Sequence, residues 1–298
     1  MANVLHFILV FVTIGPLILI GWGYFKGRKI EKTASPIAFS WSLVINSSIL
    51  YALAYNIIFF LQELFLALGK YWLGLKAYLY HNNHNWEGSH PDTDLMQGLG
   101  ALAIFITGWI AWALFLEFRK SSSWIVLFWL WLSFHGLGQA LAQFASAPVA
   151  TNTDTGQAMA YLELGDPINY AIAIGSMLLM VFIGYRFSHN FSEFSPLNTS
   201  LGHPFSRYKW SFMIVVLPAI IGTLLLFPFK VPPVDRYLHA VFLFINGVPL
   251  IFGFSWLQGR LRSNNNETYR KIKIWPIMIL ILVLIIYRMV LVPGVTFG

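Results

Sequence analysis

The chain is 298 residues long, of which 57% are hydrophobic, 17% aromatic and only 10% charged; soluble domains carry about 25% charged residues. With a mean hydropathy of +0.66, this composition excludes a water-soluble globular protein and any disordered or fibrous class, and points to a polytopic membrane protein. The net charge of +7 reflects the Lys/Arg excess that holds cytoplasmic loops in place, so the expected partners are membrane lipids and other membrane subunits, with no nucleic acid.

The chain has no cysteine, which removes disulfides, thiolate metal sites, iron–sulfur clusters, c-type haem and catalytic thiols from consideration. A spanning helix needs about 20 mostly apolar residues. Eight stretches qualify: 4–25, 37–67, 95–117, 123–147, 167–187, 209–229, 236–258 and 274–292. The expected fold class is therefore all-α, a polytopic helical bundle of about eight transmembrane helices in a single integral domain over 1–298.

In chain order, the first span has no Lys or Arg before it and no small-residue cleavage pattern, so it reads as a retained helix rather than a signal peptide. The second, at 37–67, would be roughly 46 Å long at 1.5 Å per residue, longer than a hydrocarbon core of about 30 Å. It must tilt, bend or project. It carries Asn46, Ser47, Ser48, Tyr51, Tyr55, Asn56, Gln62 and Glu63, polar groups that face a bundle interior because lipid does not solvate them. Glu63 is the carboxylate in an apolar run that no helix cap explains. Lys70–Leu79 follows, with aromatic and aliphatic residues between lysines, the composition of an interfacial segment.

The densest polar run comes next, Tyr80–Asp94, which holds three of the eight histidines. Imidazole and carboxylate are the ligands left to a cysteine-free metal site. His81 and His84 share a face if the segment is helical, and His90 can fold back across the Gly88-Ser89 turn. These three are the candidate metal ligands, for a divalent ion such as Zn or Fe, with Glu63 or Asp92 as a further ligand or general base. The competing reading is a polar loop closed by hydrogen bonds.

The fourth span presents His135, Gln139 and Gln143 on one face. The stretch from Ala145 to Asp166 lacks Lys and Arg and reads as a solvated loop. Asp94, Ser123 and Asp166 stand where helix starts need caps, the last before Pro167. Pro16, Pro218 and Pro249 would kink their helices. The seventh span adds His239 and Asn246. His135 and His239 are candidate acid/base residues or supports for the metal ligands; a b-type haem between them is disfavoured, since the two lie at different expected depths. Lys230, Arg236 and Arg288 read as cations snorkelling from span ends.

Of the 19 Lys and Arg residues, 14 fall in the loops at 26–36, 118–122, 188–208 and 259–273 together with their flanking residues. By the positive-inside rule that set is cytoplasmic. Both termini and the 68–94 loop are then extracytoplasmic. No His-Glu-x-x-His, Gly-x-Ser-x-Gly, Walker or dinucleotide motif occurs. The leading expectation is a membrane-embedded metal-dependent enzyme, a hydrolase acting on a lipid or apolar substrate at the extracytoplasmic face, with metal-activated water as nucleophile. The alternatives are a non-catalytic accessory subunit of a larger complex and a secondary transporter with a polar mid-membrane site.

Overall fold

The computed structural model describes residues 2–27, 37–121, 124–195, 204–230, 247–256 and 271–298. Helix α1 (Ala2–Gly27) covers the first expected span. Helix α2 (Trp41–Trp72) starts at Ser40, whose hydroxyl accepts the Leu43 N–H at 3.3 Å, an N-cap that satisfies one orphan donor of the first turn. Two short strands follow, β1 (Lys76–Leu79) and β2 (His84–Glu87). Then come α3 (Thr93–Met96), α4 (Gly98–Phe118), α5 (Trp124–Ser146), α6 (Asp154–Tyr161) and α7 (Asp166–Ser192).

The next span is interrupted. It consists of α8 (Pro204–Ser211), a π turn (Phe212–Val216), α9 (Leu217–Leu225) and α10 (Phe227–Lys230). The π turn ends just before Pro218, which has no N–H to give and whose ring collides with the preceding turn; the widened turn absorbs both. Helix α11 is described over 247–254. Helix α12 (Ile274–Ile286) runs into a second π turn (Tyr287–Leu291), and the chain closes with β3 (Val295–Phe297).

Six helical stretches among the described residues are long and apolar enough to cross a membrane: Trp41–Trp72, Thr93–Ser121, Trp124–Ser146, Asp166–Ser192, Phe205–Lys230 and Ile274–Leu291. They coincide with six of the expected spans. Most of the expected span at 236–258, including His239 and Asn246, lies outside the described residues, as do Ser123 and Arg236.

Helix α2 is the axis of the bundle, with 83% of its most apolar stretch buried against 17% for Ile274–Leu291. That order explains why α2 carries the polar residues: only an enclosed helix can pair them away from lipid. Ser47 donates to the Ile214 carbonyl at 2.7 Å and accepts the Trp131 indole N–H at 3.0 Å. Asn46 reaches across to the start of α12, donating to Lys271 O and accepting from Lys273 N, both at 2.9 Å, and so caps a helix distant in sequence. Helices α4 and α5 cross closely. A Cβ on Gly108 would stand 2.7 Å from the Leu137 nitrogen, and one on Gly136 would stand 2.7 Å from the Ile104 carbonyl oxygen. Small residues let the backbones meet there.

The segment from Lys70 to Glu87 departs from the expected interfacial stretch and from the helical reading of His81 and His84. It is the end of α2 followed by a hairpin, in a three-stranded antiparallel sheet ordered β2-β1-β3. The pairs are Lys76 with Glu87, Ala77 with Trp86, Tyr78 with Asn85 and Leu79 with His84; β3 adds Ala77 opposite Phe297 and Leu79 opposite Val295. The period of two in a strand turns Ala77, Leu79 and His84 inward, with half-buried Trp86 on the same face. It leaves Lys76, Asn85 and Glu87 in solvent. The 148–166 connection also differs from a bare loop: it contains α6, capped by the Thr153 hydroxyl.

Candidate functional site

The sheet seals one end of the bundle, and its inward face meets the last turns of α2. There Glu63, 1% exposed, accepts a hydrogen bond from His84 Nδ1 at 2.9 Å. A carboxylate only accepts, so the shared hydrogen is on Nδ1 when the imidazole is neutral, and Nε2 then carries the lone pair. That Nε2 is buried and has no hydrogen-bond partner. Trp86 stacks on the His84 ring, with centroids 5.9 Å apart and planes 13° apart. The indole holds the imidazole plane while Glu63 holds its tautomer.

Other chemistry-bearing groups close around this pair. Tyr287, in the second π turn, donates to the Asn56 carbonyl at 2.7 Å, and its hydroxyl lies within electrostatic reach of Tyr55 and Glu63. Asn82, at the hairpin tip, uses its amide nitrogen twice, donating to His81 Nε2 at 2.7 Å and to the Lys230 carbonyl at 3.1 Å. The backbone N–H of His81 reaches Leu291 O at 3.0 Å, so the hairpin tip is fastened to the carbonyl that the π turn releases.

Two lysines are enclosed here, although the sequence reading placed Lys70 in an interfacial stretch and Lys230 among the snorkelling cations. Lys70 is 0% exposed; its ammonium donates to Thr93 O at 2.9 Å and lies 4.9 Å from the centre of the Trp86 ring, with Asp154 and Asp94 within electrostatic reach. Lys230 is 5% exposed and lies against the rings of Phe59 and Tyr55. Arg288 donates to the Pro228 carbonyl.

The predicted site residues are thus divided. His84 and Glu63 come together, and His81 is buried in the same hairpin but bonded to Asn82. His90 and Asp92 form a separate, half-exposed pair outside it, with Nδ1 3.8 Å from Asp92 Oδ2. Asp92 also accepts the Tyr161 hydroxyl from α6, and as acceptor it pushes the Tyr161 phenol pKa up. On the outer face of the hairpin, the Tyr78 hydroxyl donates to Glu87 at 2.6 Å and holds that carboxyl below its usual range, with Lys76 reinforcing it.

His135 is completely buried among Tyr51, Tyr55, Trp131 and Phe134, its ring centre 4.4 Å from that of Tyr51. Tyr55 is eight residues from Glu63, about 12 Å along the helix, so His135 does not contact the Glu63–His84 pair. Gln143, on the same face as His135, does reach this end of the bundle: it donates to Gln62 at 3.1 Å and accepts from Thr155 at 3.2 Å. Among the described residues, no three His, Asp or Glu side chains gather closely enough to share a metal ion.

Sequence reasoning missed Lys70, Lys230, Tyr287 and Asn82. For Lys70 a signal existed, since it falls two turns after Glu63 on the same face of α2. For the others none did, because their positions come from segments far apart in the chain. The fold defines an integral membrane helical bundle with a sealed polar end. No protein family, curated protein or solved structure matches the chain.

Proposed function

We propose that the protein is a proton-coupled membrane carrier in which the Glu63–His84 pair takes up and releases the proton. The observation that carries this reading is the buried 2.9 Å pair itself, because an ionisable group enclosed in a membrane bundle is costly and belongs to proton or ion pathways. Its surroundings favour a carrier over an enzyme. Both interrupted helices are fastened to the hairpin that carries His84, one where Asn82 donates to the Lys230 carbonyl and one where the His81 N–H reaches Leu291 O, and carriers build their sites from such broken spans. By the positive-inside rule the sheet end faces the extracytoplasmic side. Labelling of Asn85→Cys from outside intact cells checks that orientation, and the chain supplies no competing thiol.

The test uses proteoliposomes loaded with a pH-sensitive dye and given, in turn, gradients of sodium, potassium and tetramethylammonium. Wild type shifts internal pH faster than protein-free vesicles with at least one ion, and Glu63→Gln and His84→Ala fall to the protein-free rate. Equal rates for wild type and Glu63→Gln sink the carrier reading.

A second reading has its own observation. A metal-bound histidine characteristically gives its other N–H to a carboxylate, which is how Glu63 holds His84. In that account His84 Nε2 is a ligand and Glu63 its support, and the protein is the metal-dependent hydrolase of apolar substrates expected from the sequence. Stoichiometric Zn or Fe in gently purified wild type, lost in His84→Ala, would establish it in place of the carrier.

A further inference from the structure

A lysine lies where a bundle normally excludes charge. Lys230 ends the four-residue helix α10, set off from α9 by Leu226. Its ammonium sits 2.9 Å from the centre of the Phe59 ring and 5.6 Å from that of Tyr55. The two rings are parallel, with planes 8° apart and centroids 6.2 Å apart. Tyr55, Phe59 and Glu63 follow one another at intervals of four on α2, so they line one face of the helix and the carboxylate comes one turn after the second ring. Asn82 holds the Lys230 carbonyl, which anchors the backbone while the flexible stem delivers the charge.

We propose that this face of α2 is a binding site for a small organic ammonium ion, which Lys230 occupies as a tethered ligand. The chemistry selects the class. Aromatic faces attract alkylammonium groups through the ring quadrupole, most strongly where water is excluded, and the carboxylate on this face is one turn beyond Phe59. Hard cations such as Ca2+ or Mg2+ need six or more oxygen ligands, whereas this face offers two rings and one carboxylate. The soluble ion and the Lys230 ammonium then compete for one position. The inference rests on the carrier reading and names the class of its cargo.

The experiment compares wild type, Lys230→Ala and Lys230→Met, purified in detergent, in n-propylammonium chloride and in sodium chloride of equal ionic strength. Lys230→Ala vacates the position, so n-propylammonium raises its melting temperature over sodium by at least ~3 °C. Wild type does not respond, since its own ammonium fills the site. Lys230→Met does not respond either, since its stem fills the cage without charge. Adding Phe59→Leu to Lys230→Ala abolishes the response.

An equal response in wild type and Lys230→Ala, or one indifferent to Phe59→Leu, overturns the proposal. So does recovery of neither lysine variant as folded protein in either salt, because Lys230 would then be a packing residue that no soluble ion replaces. The two proposals fail separately: vesicle pH changes that survive Glu63→Gln sink the carrier, whereas absent rescue of Lys230→Ala sinks the ammonium site alone.

Discussion

One short segment supplies the histidine of two His–carboxylate pairs that differ in nearly every physical respect. His84 and Glu63 meet at 2.9 Å with side chains 4% and 1% exposed; His90 and Asp92 stand 3.8 Å apart at 36% and 40%. The first pair joins a strand to a spanning helix. The second is local, two residues apart in a turn, and water screens it. Both join an imidazole to a carboxylate, so burial and the partner element decide which pair is costly to break. Lys70 stands between them, its ammonium over the Trp86 ring that stacks on His84 and bonded to the Thr93 carbonyl beside His90 and Asp92.

The strongest way to break this contrast is Glu63→Ala. It leaves the His84 N–H buried without an acceptor and opens a void, and a loss of about 3–5 kcal/mol is expected. Glu63→Gln keeps an acceptor and costs less, which denaturant unfolding in detergent distinguishes. If Glu63→Ala cost no more than Asp92→Ala, the two pairs would be energetically alike and the distinction would fall.

Lys70→Met is the intermediate case. It preserves the packed stem but removes the ammonium, leaving the Thr93 carbonyl without that donor, at a cost of about 1–3 kcal/mol. Hydrogen exchange around 90–97 should quicken while the α2 turns at Glu63 stay protected. Equal quickening at both places would show that Lys70 supports the whole end of the bundle.

The smallest effects belong to the exposed groups. Asp92→Asn at the His90 pair is expected to change stability by about 0–1 kcal/mol. The Tyr161 phenol is raised by donating to Asp92, so its contribution is complete below the ordinary tyrosine value of about 10 and disappears as pH rises through the higher folded value. Glu87 is lowered by the Tyr78 hydroxyl, so its contribution is present above the ordinary value of about 4.3 and is lost as pH falls through the lower folded value. Tyr78→Phe should therefore move the Glu87 titration upward, read by NMR of labelled glutamate. An unmoved titration would assign the shift to Lys76.

The helices were legible because hydropathy reports a local preference: Pro167 opens α7 and Pro218 follows a π turn, as their missing N–H groups require. The hairpin was less so. His81 and His84 have helical spacing, which hid the alternation of Ala77 with Leu79 and of His84 with Trp86 that the sheet uses. Glu63 stood out as a carboxylate in an apolar run, and its partner was named among the histidines, yet nothing local separated His84 from His90.

Sequence alone was sufficient to assign a membrane bundle and to mark Glu63 and the histidine segment, since the cost of placing polar groups in lipid acts residue by residue. Only the tertiary structure paired Glu63 with His84, enclosed Lys70 and Lys230, and set His90 and His135 apart. Those outcomes depend on which segments meet, and the enclosure that makes a charge consequential comes from elements far apart in the chain.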